Sequence, residues 1–392
     1  MKVATRAQVP PFAVMELIAA ANARRAAGQD VINLAAGEPT AGISPAVRQR
    51  AAEVLASDTA LGYTEALGMP GLRTAISNHY RAWHGIAPPQ ANIAITTGSS
   101  GGFALAFLAA FDVGDQVALA RPGYPAYRNI RTALDCRAVD LPCGPETRFR
   151  PTVAMLAEAH RQQPLDGLVL ASPANPTGTM VNADEMAAVA EWCATNGIRL
   201  ISDEIYHGIT YGDQPAATAA RFLGSGAIVV NSFSKYWAMT GWRLGWLLMP
   251  DDLAGPIDAL AGNLALCPPA LSQHAALAAL SPAGMADAHR RVADYAAARA
   301  RLLQRLPELG WTGVAPPDGA FYLYADISSS GLDSVTWCSR LLEETGVALT
   351  PGTDFDPVDG HRSVRLSFAA PAALVDEAVD RIVAWQTSVT CR

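Results

Sequence analysis

Ser232-Phe233-Ser234-Lys235, with Arg243 eight residues later inside Gly241-Trp242-Arg243-Leu244-Gly245, is the stretch on which the reading of this chain turns. It sits between two short apolar runs, 227–230 and 244–249. Runs of this length bounded by polar turns read as buried strands. A Lys and an Arg close together among hydroxyls at a strand end can hold one phosphate while leaving an amine free. The amine matters because the chain has 29 basic residues, of which only Lys2 and Lys235 are lysines. Guanidinium stays protonated, so Arg cannot replace Lys where a neutral amine must act as a nucleophile. Lys2 lies near the terminus. Lys235 lies in an apolar region and is the candidate for covalent chemistry.

Working outward, strand-like and helix-like runs alternate. Run 93–97 precedes helix 100–111, run 116–120 precedes helix 125–134, and run 167–171 precedes helix 183–195; 198–202, 227–230 and 244–249 close the series. Such alternation predicts an α/β fold, with a large domain built on a mostly parallel sheet between helices. An amphipathic helix is predicted over 9–28, with Val14, Leu17, Ile18 and Ala21 on one face. The pattern changes near 282. A long helical stretch, 285–306, leads to runs 321–325, 347–349 and 363–368, with helices 334–345 and 372–386 between and after them. The expected division is an N-terminal arm over 1–43 that joins the small domain, a large domain over 44–281, and a smaller α+β domain over 282–392.

Composition narrows the function. The chain has 392 residues, half of them hydrophobic and 17% charged, so a sizeable core is available. Net charge is −7 and no Lys/Arg run stands out, which argues against nucleic acid and anionic membranes as partners. The longest apolar stretch, 101–111, ends at Asp112 and is too short to span a bilayer. No secretory h-region is visible before Phe12. The cysteines, at 136, 143, 193, 267, 338 and 391, form no C-x-x-C pair, and the histidines show no zinc spacing. Reduced thiols, no metal and a cytoplasmic location are the expectation.

Further polar clusters fall at predicted strand ends, where α/β sheets bind ligands. Gly98-Ser99-Ser100-Gly101 opens a helix, a setting suited to an anion or simply to a turn. Asn175 sits in Ser172-Pro173-Ala174-Asn175-Pro176-Thr177-Gly178, a run of turn formers. Asp203-Glu204-Ile205-Tyr206 puts carboxylates at the end of a buried strand, where each needs a partner. Arg365 lies in the alternating strand Ser363-Val364-Arg365-Leu366-Ser367, solvated or acting as a carboxylate clamp.

Together these pieces resemble the class I/II aminotransferases, fold-type I enzymes that use pyridoxal 5′-phosphate. The resemblance covers nearly the whole chain in order. It runs from Ala36-Gly37-Glu38-Pro39 and Gly62-Tyr63-Thr64…Gly68-Met69-Pro70-Gly71-Leu72-Arg73, through Asn175, Asp203/Tyr206 and the Lys235–Arg243 pair, to Arg365. It implies that Lys235 bonds to the cofactor aldehyde and then carries the proton between the substrate α-carbon and the cofactor. It implies that Asp203 pairs with the pyridine nitrogen, and that Asn175 and Tyr206 bond the ring oxygen. Arg243, Ser232, Ser234 and the Ser99–Ser100 turn match the phosphate-binding positions, and Tyr124 matches the aromatic that stacks on the ring. Arg365 matches the residue that binds the substrate carboxylate, helped by Asn175 and the Gly37 backbone. Tyr63 matches a residue reaching the neighbouring subunit's phosphate, which implies a homodimer with shared sites. The implied reaction moves the α-amino group of an L-amino acid to a 2-oxo acid by a ping-pong mechanism.

The chain departs from the family pattern at Gly101-Gly102, where a larger residue is common. Pro351-Gly352-Thr353-Asp354-Phe355-Asp356-Pro357 lacks the usual Gly after Phe, and no Lys lies just inside the phosphate turn. The missing Lys weakens an acidic-substrate reading. Phe12, Tyr127, Trp246 and Tyr322 are candidates for an apolar pocket or for ordinary core. A β- or γ-lyase or a cyclase would share the same cofactor residues. A serine α/β-hydrolase is a more remote option, because Gly98-Ser99-Ser100-Gly101-Gly102 matches G-x-S-x-G and Asp356 and His361 follow Ser100 in hydrolase order.

Overall fold

The computed structural model describes residues 1–390. Its strands, in chain order, are β1 (Ile32–Asn33), β2 (Ile93–Thr96), β3 (Gln116–Arg121), β4 (Arg137–Pro142), β5 (Gly167–Ala171), β6 (Arg199–Asp203), β7 (Ile228–Ser232), β8 (Gly245–Leu248), β9 (Tyr322–Asp326), β10 (Val347–Ala348), β11 (Thr350–Pro351) and β12 (Ser363–Ser367). Seven of them form one sheet in the order β2-β8-β7-β6-β5-β3-β4. Only β8 runs antiparallel to its neighbours. The sheet is thus mostly parallel, with helices packed against it, as the alternation of apolar runs predicts. β5 to β8 are buried along nearly their whole length, as strands covered on both faces must be. The strand of this sheet that the sequence prediction missed is β4, at its edge. Its residues are mostly half-buried or exposed, so it carries no continuous apolar run.

The smaller part has a three-stranded antiparallel sheet, β11-β12-β9, and a separate parallel pair, β1 with β10. The pairing Ile32↔Val347 ties a residue near the N-terminus to the C-terminal region. The long helix, Pro282–Leu309, has well-formed ends: Ser281 accepts from Gly284 N–H, proline occupies its first position, and Gly310 is left-handed at φ 65°. Large apolar side chains such as Trp246, Phe233, Trp337 and Phe368 fill a core continuous between the two parts. The five described cysteines are free thiols; Cys391 lies outside the described residues. Among the described residues, no helix is long and apolar enough to cross a membrane, and no His/Cys/Asp/Glu group could hold a metal.

The N-terminal helix is shorter than its apolar pattern suggests, running Ala13–Ala26. Pro10 and Pro11 offer no N–H, and the helix takes its cap from a distant residue. Asp354 accepts from Ala13 N–H at 2.8 Å and Val14 N–H at 2.9 Å. Arg128, from the helix Pro125–Ala133, in turn donates to the carbonyls of Asp354 and Phe355. Asp356 pairs with Arg121 at 2.7 Å. The segment that departs from the family pattern therefore joins three elements, each through a named bond.

Asp354→Ala should cost about 1 kcal/mol of stability, the usual scale for a lost helix cap. Limited proteolysis should then cut sooner within residues 1–26 while the rest resists. Unchanged cleavage there would show that other contacts hold the helix.

Candidate active site

The register of the large sheet builds the site. Thr96 pairs with Gly245, and Gly245 pairs with Ser232. The ends of β2 and β7 and the start of β8 therefore lie side by side. The loop from β7 to β8 carries Ser234, Lys235 and Arg243, and the helix Gly98–Ala110 starts beside it with Ser99 and Ser100 in its first turn. Small residues make this contact possible. A Cβ on Gly98 would lie 2.5 Å from an Arg243 guanidinium nitrogen, and one on Gly245 would lie 2.9 Å from the Gly98 backbone. Gly98 also has φ +74°, which an L side chain resists. Arg243 is exposed and donates to Thr240 O at 2.8 Å. Ser234 and Ser232 are buried. The Ser232 hydroxyl lies 2.9 Å from Leu244 O and 2.8 Å from Ser234 Oγ, so it buttresses Ser234 from behind.

Two adjacent carboxyls end β6, and the structure separates their roles. Glu204 is enclosed by the Ser202 and Thr218 hydroxyls and the Ala219 N–H, and burial pushes it up to about 8. It is therefore neutral near pH 7. Asp203 is 4% exposed and accepts from Ile205 N–H at 3.0 Å and from the Tyr127 hydroxyl. Burial raises it to about 6, with the Tyr127 and Ile205 bonds and the charge of Lys235 opposing the rise. Asp203 is the ionised member of the pair at neutral pH.

Arg365 lies on β12, the middle strand of the smaller sheet. Its Nη1 donates to Asn175 Oδ1 at 3.0 Å, and its Nη2 to Ala35 O at 2.6 Å and Thr350 Oγ1 at 3.1 Å. Its guanidinium stacks over Tyr322 and Phe355, with centroid distances of 4.5 and 4.7 Å. Its Nε is buried and has no partner among the described residues. Tyr206 and Tyr322 share a hydroxyl–hydroxyl bond of 2.7 Å. A Cβ on Gly37 would meet the Tyr322 hydroxyl at 2.7 Å and an Arg365 nitrogen at 3.6 Å. Lys235 Nζ donates to Gly37 O at 2.6 Å. The Gly37 loop thus bridges the Lys235 loop and the strand bearing Arg365. Burial pushes the Lys235 ammonium down to about 8, against the attraction of Glu38 and with help from Arg365 and Arg243.

Tyr124 stands at the start of the helix Pro125–Ala133, stacked on Phe12 at 6.4 Å and meeting Tyr127 edge-on at 5.4 Å. Tyr63 is 84% exposed. Of the pocket aromatics, Trp246 is core, packed on Phe233 and Trp237 inside β8. Tyr322 and Tyr127 are parts of the constellation whose bonding partners the sequence did not reveal. The available signal for Tyr127 was its i+3 spacing from Tyr124, one turn along the same helix face.

The hydrolase arrangement is overturned. Asp356 is engaged by Arg121 and by the N–H groups of Val358 and Asp359, and His361 lies with its ring nitrogen 3.1 Å from Val358 O. Among the described residues no hydrogen bond joins Asp356 to His361 or either of them to Ser100, which lies in the first turn of a helix beside Arg243.

Comparison with known proteins agrees with this geometry. Residues 29–382 match the family model described as aminotransferase class I and II. The chain is similar to a valine–pyruvate aminotransferase of Mycobacterium tuberculosis, 52% identical over 99% of both chains. It superposes on the crystal structure of an aminotransferase from the same organism with a TM-score of 0.96 at 52% identity, covering 99% of this chain and 100% of the other. The Thermus thermophilus aspartate aminotransferase with maleate gives 0.92 at 30% identity, covering 98% and 99%. With its sheet, its half-buried lysine and its family match in agreement, the chain belongs to the class I and II aminotransferases, a family that uses pyridoxal phosphate.

Proposed function

We propose that this aminotransferase moves the amino group of a small apolar L-amino acid, valine above all, to pyruvate, with pyridoxal phosphate held at Lys235. The observation that carries the reading is the buried Arg365 with an unpartnered Nε, joined to Lys235 through the Gly37 loop. The donor set suits the cofactor. Lys235 is a half-buried primary amine, Asp203 an ionised carboxylate, and the Gly98 turn with Ser234 and Arg243 an anion cradle at a helix start. When bound, this cofactor supplies an aldehyde that condenses with amines and a ring that accepts the α-carbon's electrons.

The chain's own residues would divide the work. Asp203 holds positive charge at the ring nitrogen. Asn175 and Tyr206 would hydrogen-bond the ring oxygen, and Tyr124 would cover one ring face. Arg243, Ser234 and the Ser99–Ser100 turn bind phosphate, while Ser232 fixes Ser234. Arg365 holds the α-carboxylate in a planar fork. Lys235, as a neutral amine, would take the proton from the substrate α-carbon and give it back on the far side of the amino nitrogen.

The substrate side chain is read from charge. Arg365 and Arg243 are the cations felt most strongly at Lys235. With one on the α-carboxylate and the other on phosphate, an acidic side chain would lack a partner. The 52% identity to a valine–pyruvate enzyme supports the same choice. Tyr63, a large aromatic left 84% exposed, is read as reaching the phosphate site of a second copy, making the enzyme a homodimer.

L-Valine added once to the yellow holoprotein should bleach the aldehyde-form absorption, release about one equivalent of oxo acid per site and liberate no ammonia. Pyruvate should restore the colour. Faster bleaching by aspartate than by valine would overturn the substrate reading, and free ammonia would favour the lyase.

Lys235→Ala should abolish turnover, and borohydride reduction of the wild type should label Lys235 alone. Capture of pyridoxal phosphate by the apoprotein should accelerate from pH 7 to 9 with a midpoint near 8, because only the neutral amine attacks the aldehyde. A pH-independent capture rate would mean that another step limits binding.

A further inference from the structure

Asp203 is a buried charge, and its surroundings decide how it is held. Tyr127 donates its hydroxyl to Asp203 Oδ2, while Ile205 N–H holds Oδ1 at 3.0 Å. Each carboxylate oxygen therefore has one protein donor, and Tyr127 is the only side chain among them. The remaining titratable groups that act on Asp203 or feel its charge are Lys235, Glu204, Tyr124 and Tyr206. None of these hydrogen-bonds Asp203. The Tyr127 ring is itself clamped, tilted against Phe103 at 5.0 Å and edge-on to Tyr124 at 5.4 Å. Burial and the neighbouring charge of Asp203 keep its phenol protonated well beyond the ordinary range, so it remains a donor. A carboxylate has a free rotation about its last bond, and a donor on each oxygen removes it.

We propose that Tyr127 is a positioning residue that fixes the Asp203 carboxylate through its hydroxyl and the Tyr124 ring through its edge, so that one side chain sets both the charge partner and the stacking face of the cofactor site. The inference rests on the cofactor reading above. Without the hydroxyl, Asp203 keeps one donor, turns more freely and holds its charge less well. Tyr127→Phe removes that bond and leaves the ring packing in place.

The test is a double-mutant cycle read by cofactor binding. Apoproteins of wild type, Tyr127→Phe, Asp203→Asn and the double variant are titrated with pyridoxal phosphate by fluorescence quenching. Tyr127→Phe should weaken binding about tenfold in the wild-type background and less than twofold in the Asp203→Asn background. On acidification, the holoprotein of Tyr127→Phe should lose its cofactor at a midpoint about one pH unit above wild type. In turnover, kcat should fall while KM for the amino donor stays within about threefold. Tyr127→His, which keeps a ring and a donor, should recover part of the loss. Equal weakening in both backgrounds, or no shift of the midpoint, overturns the proposal and leaves Tyr127 a packing residue. If Asp203→Asn alone binds the cofactor with wild-type affinity and absorption, the cofactor reading itself fails. One measurement needs no Tyr127 variant. The infrared difference between wild-type apoprotein and Asp203→Asn, followed with pH, should show a phenol C–O band moving in step with the Asp203 carboxylate band. A carboxylate that titrates with no tyrosine band moving also overturns the proposal.

Discussion

The structure depends on one reversed strand. β8 enters the large sheet antiparallel between β2 and β7, so Thr96, Gly245 and Ser232 lie in one row. Had β8 run parallel, a crossover would separate Lys235 from Arg243, since parallel neighbours need a long connection. The reversal instead lets a short loop return at once, with its amine and its guanidinium at the same sheet end as the Gly98 turn. The backbone approach there is so close that Gly98 and Gly245 admit no side chain.

Electrostatics then sort the charges that this geometry collects. Asp203 and Glu204 are chain neighbours, yet Glu204 is neutralised inside a hydroxyl cage and Asp203 keeps its charge under Tyr127. Lys235 is partly desolvated and set near two guanidiniums, so its amine loses its proton more easily than a surface lysine would. A buried ionised group that lacks a full set of partners is costly to fold around, and active sites retain such groups because chemistry needs them.

The proposed carboxylate clamp comes from a different sheet. Arg365 is held by Ala35, Thr350 and Asn175, so it touches the N-terminal segment, the smaller sheet and the β5 loop at once. Asp354 and Arg128 connect the same region to the N-terminal helix and to the helix that bears Tyr124 and Tyr127. The parts proposed to meet the substrate and those proposed to meet the cofactor are thus coupled by hydrogen bonds as well as by the shared core.

The sequence alone determined the mostly parallel α/β sheet, because buried strands must be short continuous apolar runs between helices. It also singled out Lys235, because a chain that uses arginine almost everywhere kept one internal lysine. Its motifs carried the family resemblance and with it Asp203, Asn175, Arg243 and Arg365. What it could not supply were relations between distant residues. The edge strand β4 was hidden by its exposed positions. That Asp354 caps the helix Ala13–Ala26, that Tyr322 lies under Arg365, that Tyr127 rather than a cation meets Asp203, and that Asp356 serves Arg121 rather than a triad were decided by tertiary structure. Periodicity reports which side of an element is buried. Which partner waits there is fixed only when strands from far along the chain are set in register.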